Sequence, residues 1–151
     1  MNRVFTPLLI AVVAVLNNAS CAGSADPGAH PERQLKLGQT QLRLEDGNGK
    51  CRAIALTGDS AAVQYALDVP WPCRFHVDKA GHVRTIQGAG YVYVLVESSK
   101  RTTSASSDDC ETHLQSIRMH GRRVEVSPHK DRVAACPPFQ WDVLLFKELF
   151  D

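Results

Sequence analysis

The sequence has almost no net charge, and after its N-terminus it has no long apolar run. Its 17 lysines and arginines face 16 aspartates and glutamates, which leaves a net charge of +1 at pH 7. Nucleic-acid binding needs a basic surface, so this balance predicts no nucleic-acid partner. The longest apolar run, residues 4–16, is shorter than the roughly 20 residues of a transmembrane helix. We therefore expect no transmembrane span.

Motifs of the common enzyme classes are also missing. The sequence has no phosphate-binding glycine loop and no pair of carboxylates with a catalytic spacing, so its isolated aspartates and glutamates are expected to be solvated. The hydrophobic fraction of 44% is too high for a disordered chain. The sequence therefore predicts a folded protein that is not an enzyme and that has no cofactor.

The N-terminus has the three parts of a secretory signal peptide. Arg3 supplies the positive charge, residues 4–16 form the apolar run, and Ser20 and Ala22 are small residues at the −3 and −1 positions of a cleavage site. We expect residues 1–22 to be removed and the protein to be periplasmic or secreted. A second interpretation places a lipid anchor on Cys21, although Asn18 stands where such lipoproteins carry an aliphatic residue.

Cysteine content is the most specific signal in the mature chain. Cys21 is lost with the signal peptide or consumed by the lipid, which leaves four cysteines. An even number of cysteines in an exported protein predicts two disulfides, for which three pairings exist. Spacing along the chain favours one pairing: Cys51–Cys73 and Cys110–Cys136.

Hydrophobic patterning predicts one mainly β domain over residues 34–151, after a flexible leader over residues 23–33. Polar and apolar residues alternate in "QLKLGQTQLRLE", whereas "YVYVLVE" is apolar on both faces, as in a strand at the centre of a sheet. Turn residues in "DGNGK" and "DKAG" predict hairpins. Residues 98–109 have no apolar side chain larger than alanine and predict an exposed loop.

The C-terminal segment predicts a helix. Its aromatic and aliphatic residues recur at helical spacing after two prolines, and they would pack one face against the sheet: Phe139, Val143, Phe146 and Phe150. The expected architecture is an antiparallel β-sheet or a small sandwich of hairpins, stapled by two disulfides, with a C-terminal helix. Trp141 is expected in the core.

Residues 110–136 contain two cysteines and three histidines, which raises the alternatives of a zinc site or a disulfide-closed hairpin. His113 and His120 are seven residues apart on one predicted strand, or about 23 Å. Zinc ligands lie about 2 Å from the metal, so these two histidines cannot share one ion. His76 and His82 flank another predicted turn and would project to opposite faces. We therefore predict a hairpin closed by a disulfide, and no metal site.

The predicted hairpin register places a two-residue turn at 120–121. Arg118 then lies opposite Arg123, and like charges in that position repel each other. We define the tip cluster as the basic residues at this turn: Arg118, His120, Arg122 and Arg123. One hypothesis is that the tip cluster binds an acidic protein or an anionic envelope component. The alternative is a solvated face.

Two further segments are candidate sites. Residues 54–62, "IALTGDSAA", resemble the first block of the GDS(L)-type hydrolases, in which the serine that follows Gly-Asp is the nucleophile. The resemblance implies that Ser60 could serve a small secreted hydrolase, but the Asp-x-x-His pair of that family is missing near the C-terminus. A hairpin turn is the simpler interpretation. Trp71, between two prolines, is either a contact residue or a core residue.

These observations favour a non-enzymatic binding protein of the bacterial envelope, of the inhibitor or immunity type, with an acidic partner. Small size, two staples and exposed loops suit such a protein. The alternatives are the small hydrolase that uses Ser60 and a structural lipoprotein anchored at Cys21.

Overall fold

Within the residues that the computed structural model describes, 30–102 and 109–151, nine strands form two antiparallel sheets. The first sheet has the strands in chain order: β1 (Gln34–Leu37), β2 (Thr40–Asp46), β3 (Lys50–Thr57) and β4 (Val63–Pro70). The second sheet contains β5 (Arg74–Phe75), β6 (Thr85–Gly88), β7 (Tyr91–Arg101), β8 (Cys110–His120) and β9 (Arg123–Val133). The prediction of a mainly β, antiparallel fold is confirmed.

The two sheets pack face to face and share one core. Leu42 and Leu44 point inward from β2 while Gln41 and Arg43 are exposed, as the alternating pattern predicts. Residues from both sheets are buried in this core: Leu42, Leu44, Ala53, Ala55, Leu67, Val69, Phe75, Val94, Val96, Ile117, Met119 and Val124. The fold is therefore a sandwich of hairpins.

Strand β7 lies at the centre of the second sheet, with β8 on one side and β5 and β6 on the other. Val94 and Val96 face the shared core, whereas Tyr93 and Leu95 belong to a second cluster on the outer face. Both faces of β7 are covered, which explains why its sequence does not alternate. The strand also continues to Arg101, because Ser98–Arg101 pair with β8. The prediction of a loop that begins at residue 98 is thus wrong by four residues.

A short C-terminal segment covers the outer face of the second sheet. Its only helix in the described residues is α1, Leu145–Glu148. Trp141, Phe146 and Leu149 are buried there, but Phe139 and Val143 are about half exposed. The predicted aromatic face is therefore wrong in its first half. The backbone N–H of Leu144 is bonded to the Asp142 side chain, a local turn interaction that competes with helix.

Both predicted disulfides are confirmed. Cys51–Cys73 has a Cα–Cα distance of 6.0 Å and Cys110–Cys136 one of 4.8 Å. The first closes the β3–β4 hairpin and ties it to the start of β5. The second closes the base of the β8–β9 hairpin. Both bonds are compatible with an extracellular or periplasmic location.

The predicted signal peptide, residues 1–22, and the lipid site at Cys21 lie outside the described residues. The same is true of residues 23–29 of the predicted leader, whereas Pro31–Arg33 form a short 3-10 helix. In residues 30–102 and 109–151, no helix is long and apolar enough to cross a membrane.

Candidate functional site

A cavity of about 360 Å³ opens at the end of the sandwich that carries the Cys110–Cys136 disulfide. We call it the arginine cavity, because three arginines line it: Arg33, Arg74 and Arg101. They come from the 3-10 helix, from β5 and from the end of β7. Glu32 is the one carboxylate among the described residues of its lining, and Glu32 also pairs with His30 at 3.2 Å.

Arg33 is held by two contacts that leave most of its donors unused. Its Nε donates to the carbonyl of Cys73 at 3.2 Å, and its guanidinium lies 4.6 Å from the ring centre of Trp71. A guanidinium has five N–H donors, and Nε supplies one of them. The terminal nitrogens of Arg33 have no acceptor within the described part of the chain. The position of the Arg33 guanidinium group is therefore fixed, and no carboxylate of the described residues forms an ion pair with it.

Arg74 is positioned by a buried carboxylate. Its Nε donates to Glu97 Oε1 at 3.0 Å, and a terminal nitrogen lies 2.8 Å from the same oxygen. The other carboxylate oxygen accepts from Trp141 Nε1 at 2.8 Å and from His76 Nδ1 at 3.1 Å. Glu97 and His76 are each 2% exposed, whereas Arg74 is 35% exposed and reaches the cavity. We call Glu97, His76, Trp141 and Arg74 the Glu97 network.

The charge of Glu97 is stabilised although the residue is buried. Burial by itself raises the pKa of the carboxyl group, but the hydrogen bonds from His76 and Trp141 and the charges of His76 and Arg74 outweigh it, so the pKa of Glu97 lies below its ordinary value of 4.5. The expectation that isolated carboxylates are solvated is wrong here. The physical reason is that three donors on other segments replace the lost water.

One buried polar atom of the network has no partner in the described residues. His76 donates from Nδ1 to Glu97, and its buried Nε2 has no hydrogen bond. The imidazole packs among rings instead, with centroids 6.1 Å from Phe146 and 6.4 Å from Trp141. Those rings and Glu97 hold the imidazole in place, and Glu97 in turn holds Arg74.

A second cavity adjoins the first. It has a volume of about 220 Å³ and shares Pro72 and Ser99 with the arginine cavity. We call it the Trp71 pocket, since Pro70, Trp71 and Pro72 form its apolar wall. Trp71 itself is half-buried and packs against the shared core, so it is both a core residue and a cavity residue.

The tip cluster lies at the opposite end of the second sheet. Val92, at that end, and Ser99, at the cavity, are seven residues apart on β7, or about 23 Å. The tip cluster and Trp71 therefore cannot form a single small site, although the sequence suggested both. Within the tip cluster, His120, Arg122 and Arg123 are exposed.

The predicted register of the tip is wrong. Arg118 pairs with Glu125, and His120 pairs with Arg123, so the turn is at 121–122. Gly121 takes the single positive φ of 58° at the first turn position, as a type II′ turn requires, and His120 is spared that strain. The shift is two residues, so the faces of the strands stay as predicted.

The corrected register removes the like-charge pair. Arg118 Nε donates to Glu125 at 2.7 Å, and its guanidinium lies between the rings of Phe150 at 4.3 Å and Tyr91 at 4.6 Å. The hydrogen bond from Arg118 lowers the pKa of Glu125. Arg123 also pairs with Glu125, at 2.6 Å. Much of the positive charge of the tip is thus satisfied internally, and partner binding there stays a prediction.

The other tip residues are held by neighbours as well. His120 Nδ1 donates to the carbonyl of Gly90 at 2.9 Å, and Arg122 donates to Gln39 in the turn between β1 and β2 at 3.0 Å. These contacts order the tip against both sheets.

Ser60 lies in the β3–β4 turn. Its backbone N–H donates to the carbonyl of Thr57 at 3.1 Å, and Gly58 has a positive φ of 54°. Ser60 is exposed, and the described residues give its hydroxyl no hydrogen-bond partner. The hydrolase interpretation stays untested, but the segment is a turn of the kind that Gly58 and Asp59 predict.

Histidines are separated in the fold. His76 is buried and His82 is 82% exposed. Within 30–102 and 109–151, no three histidine, cysteine, aspartate or glutamate side chains lie close enough to hold a metal ion.

The arginine cavity could not be recognised from the sequence, because Arg33 and Arg74 are 41 residues apart and Arg74 and Arg101 are 27 residues apart. One sequence signal lay near the cavity: Glu97 directly follows the apolar run of β7, which is covered on both faces. No protein-family model, curated protein sequence or solved structure matches the chain.

Proposed function

We propose that the protein is an exported, non-enzymatic binding protein of the bacterial envelope, of the inhibitor or immunity type, and that it holds an acidic segment of a partner protein in the arginine cavity. The observation that carries the proposal is that Arg33, whose terminal nitrogens have no acceptor within the described residues, lines one cavity together with Arg74 and Arg101. Arginine forks match the geometry of carboxylates, and charge-assisted hydrogen bonds are about twice as strong as neutral ones.

The chemistry of the lining favours binding over catalysis. Its cysteines are bonded in disulfides, and Ser99 shares a hydrogen bond of 2.7 Å with Thr112. Among the described lining residues these are the thiol-derived and hydroxyl groups, and all of them are engaged. Prolines and arginines make up most of the remaining wall, which suits recognition of a preformed acidic surface.

Site-specific photo-crosslinking in the native envelope tests this proposal. A photoreactive amino acid replaces Lys100, which is exposed and lines the Trp71 pocket. We expect one recurrent protein adduct, because a partner seated in the cavity would lie within reach of this position. The adduct should disappear when Arg33→Glu is added, since the reversed charge repels an acidic segment.

The matched control places the same photoreactive residue at Gln64, which is exposed on β4 of the other sheet. We expect no recurrent adduct from that position. Equal yields of the same adduct from both positions, or no adduct from position 100, would contradict the proposed function.

A further inference from the structure

We infer that the arginine cavity and the Trp71 pocket form one composite groove, which binds an acidic side chain and an apolar side chain two residues apart on an extended segment of the partner. This inference rests on the proposed function and adds the chemistry of the ligand. It follows from the wall that the two cavities share, from the terminal nitrogens of Arg33, which have no acceptor within the described residues, and from the apolar side chains of Pro70, Trp71 and Pro72.

The two cavities are contiguous because Pro72 and Ser99 line both of them. The first is lined by three arginines and Glu32. The second has two prolines and a tryptophan on one side and polar residues, among them Lys100, Glu111 and His113, on the other. In an extended strand, residues i and i+2 point to the same side and are about 7 Å apart. Because the two cavities meet at Pro72 and Ser99, we assign neighbouring side chains on the same side of one extended segment to the two cavities.

Arg33 lines the arginine cavity and contacts Trp71 of the neighbouring pocket. Its guanidinium stacks on Trp71 at 4.6 Å, so one face of the fork is covered by the indole and its edge stays available to a ligand. Stacking also reduces the conformational freedom that the arginine would lose on binding, which favours affinity. An acidic ligand on this edge would lie directly beside the apolar wall.

Arg74 supplies further hydrogen-bond donors from a fixed position, although Glu97 balances its charge. Two of its nitrogens are committed to Glu97 Oε1, and that carboxylate is fixed by Trp141 and His76. The donors of Arg74 that Glu97 does not use are held in a defined place. The ligand that complements two fixed guanidinium groups is a carboxylate, which accepts from several donors at once.

Three short probes test the groove by nuclear magnetic resonance of the full chain. They are acetyl-Asp-Gly-Phe-amide, its Asn-Gly-Phe analogue without the charge, and its Asp-Gly-Gly analogue without the ring. We expect the first probe to shift the indole N–H signal of Trp71. Each analogue should bind about tenfold more weakly, which corresponds to about 1.4 kcal/mol. The Asn probe loses the charge-assisted hydrogen bonds, and the Gly probe loses the burial of the ring.

Variants separate the groove from a general charge effect. Arg33→Gln should remove the difference between the Asp and Asn probes. The matched control Arg43→Gln changes an exposed arginine on the first sheet, which pairs with Glu45, and should leave the difference intact. The indole signal of Trp141, which is buried on Glu97, reports whether each variant keeps its fold.

Three outcomes would overturn the inference: equal binding of the Asp and Asn probes, equal loss in Arg43→Gln, or no Trp71 shift up to about 10 mM probe, a concentration well above a millimolar dissociation constant. If the probes do not bind but a specific adduct forms at position 100, the composite groove is wrong and the proposed function is retained. If the probes bind but no adduct forms, the groove is retained and the proposed function is wrong.

Discussion

Replacing Glu97 with glutamine should lower the free energy of unfolding by about 3 kcal/mol, because removing one member of a buried charged network typically costs 3–5 kcal/mol. Glutamine keeps the size of the side chain but loses the charge that Arg74 and His76 face, and its amide nitrogen cannot accept from them. Urea denaturation of the mature protein measures the change.

Glu45→Gln is the matched control, since Glu45 pairs with Arg43 and Arg52 on the exposed side of the first sheet. A partly exposed pair of this kind contributes at most about 1 kcal/mol. A loss in Glu97→Gln no larger than in Glu45→Gln would show that the network adds no stability.

The stability that Glu97 contributes should decrease at acidic pH. The folded-state pKa of Glu97 lies below its ordinary value of 4.5, so the ionised residue stabilises the fold above that value. This stability should be lost as the pH falls through the lower, folded-state pKa. The difference in unfolding free energy between wild type and Glu97→Gln should therefore be constant near pH 7 and shrink below pH 4.5.

Removing either disulfide should cost about 3–4 kcal/mol, which is the loop-closure entropy of loops of this length. The sequence separations are 22 for Cys51–Cys73 and 26 for Cys110–Cys136, so the two losses should be similar. Urea denaturation of the two double Cys→Ala variants provides the measurement.

A second check uses additivity. The loops 51–73 and 110–136 do not overlap, so the variant that lacks both disulfides should lose the sum of the two effects within about 0.5 kcal/mol. If removal of either disulfide lowers the free energy of unfolding by less than about 1 kcal/mol, that disulfide does not stabilise the fold as expected.

Local patterns were sufficient for most of the fold. Strand β2 was predictable because its leucines face the core every second residue, and β7 because both of its faces are covered. The disulfides followed from an even cysteine count and short spacings. In each case the interaction that decides the structure lies close in sequence or repeats along it.

Features that depend on distant partners were not predictable. Trp141 is drawn to Glu97, 44 residues away, and the segment before α1 follows it rather than forming the expected helix. The tip register depends on which residue accepts a positive φ, and Gly121 does so at the first turn position. The hydrophobic pattern is unchanged by a shift of two residues, so it could not distinguish these registers.

The candidate site also consists of residues that are far apart in the sequence. Arg33 lies in what the sequence indicates is a leader, and the sheet pairing of β5 with β7 brings Arg74 to Glu97. Only the fold places these side chains beside Arg101 and the second disulfide.

The most direct test of the central claim, that an acidic partner binds at the arginine cavity, compares the affinity of the crosslinked partner for two charge reversals. Arg33→Glu alters the cavity. Arg123→Glu alters the tip cluster at a side chain that is 78% exposed. We expect Arg33→Glu to weaken binding at least thirtyfold, corresponding to about 2 kcal/mol or more for a close charge pair, and Arg123→Glu to change it less than about threefold. A larger loss in Arg123→Glu than in Arg33→Glu would contradict the account and place the partner at the tip cluster.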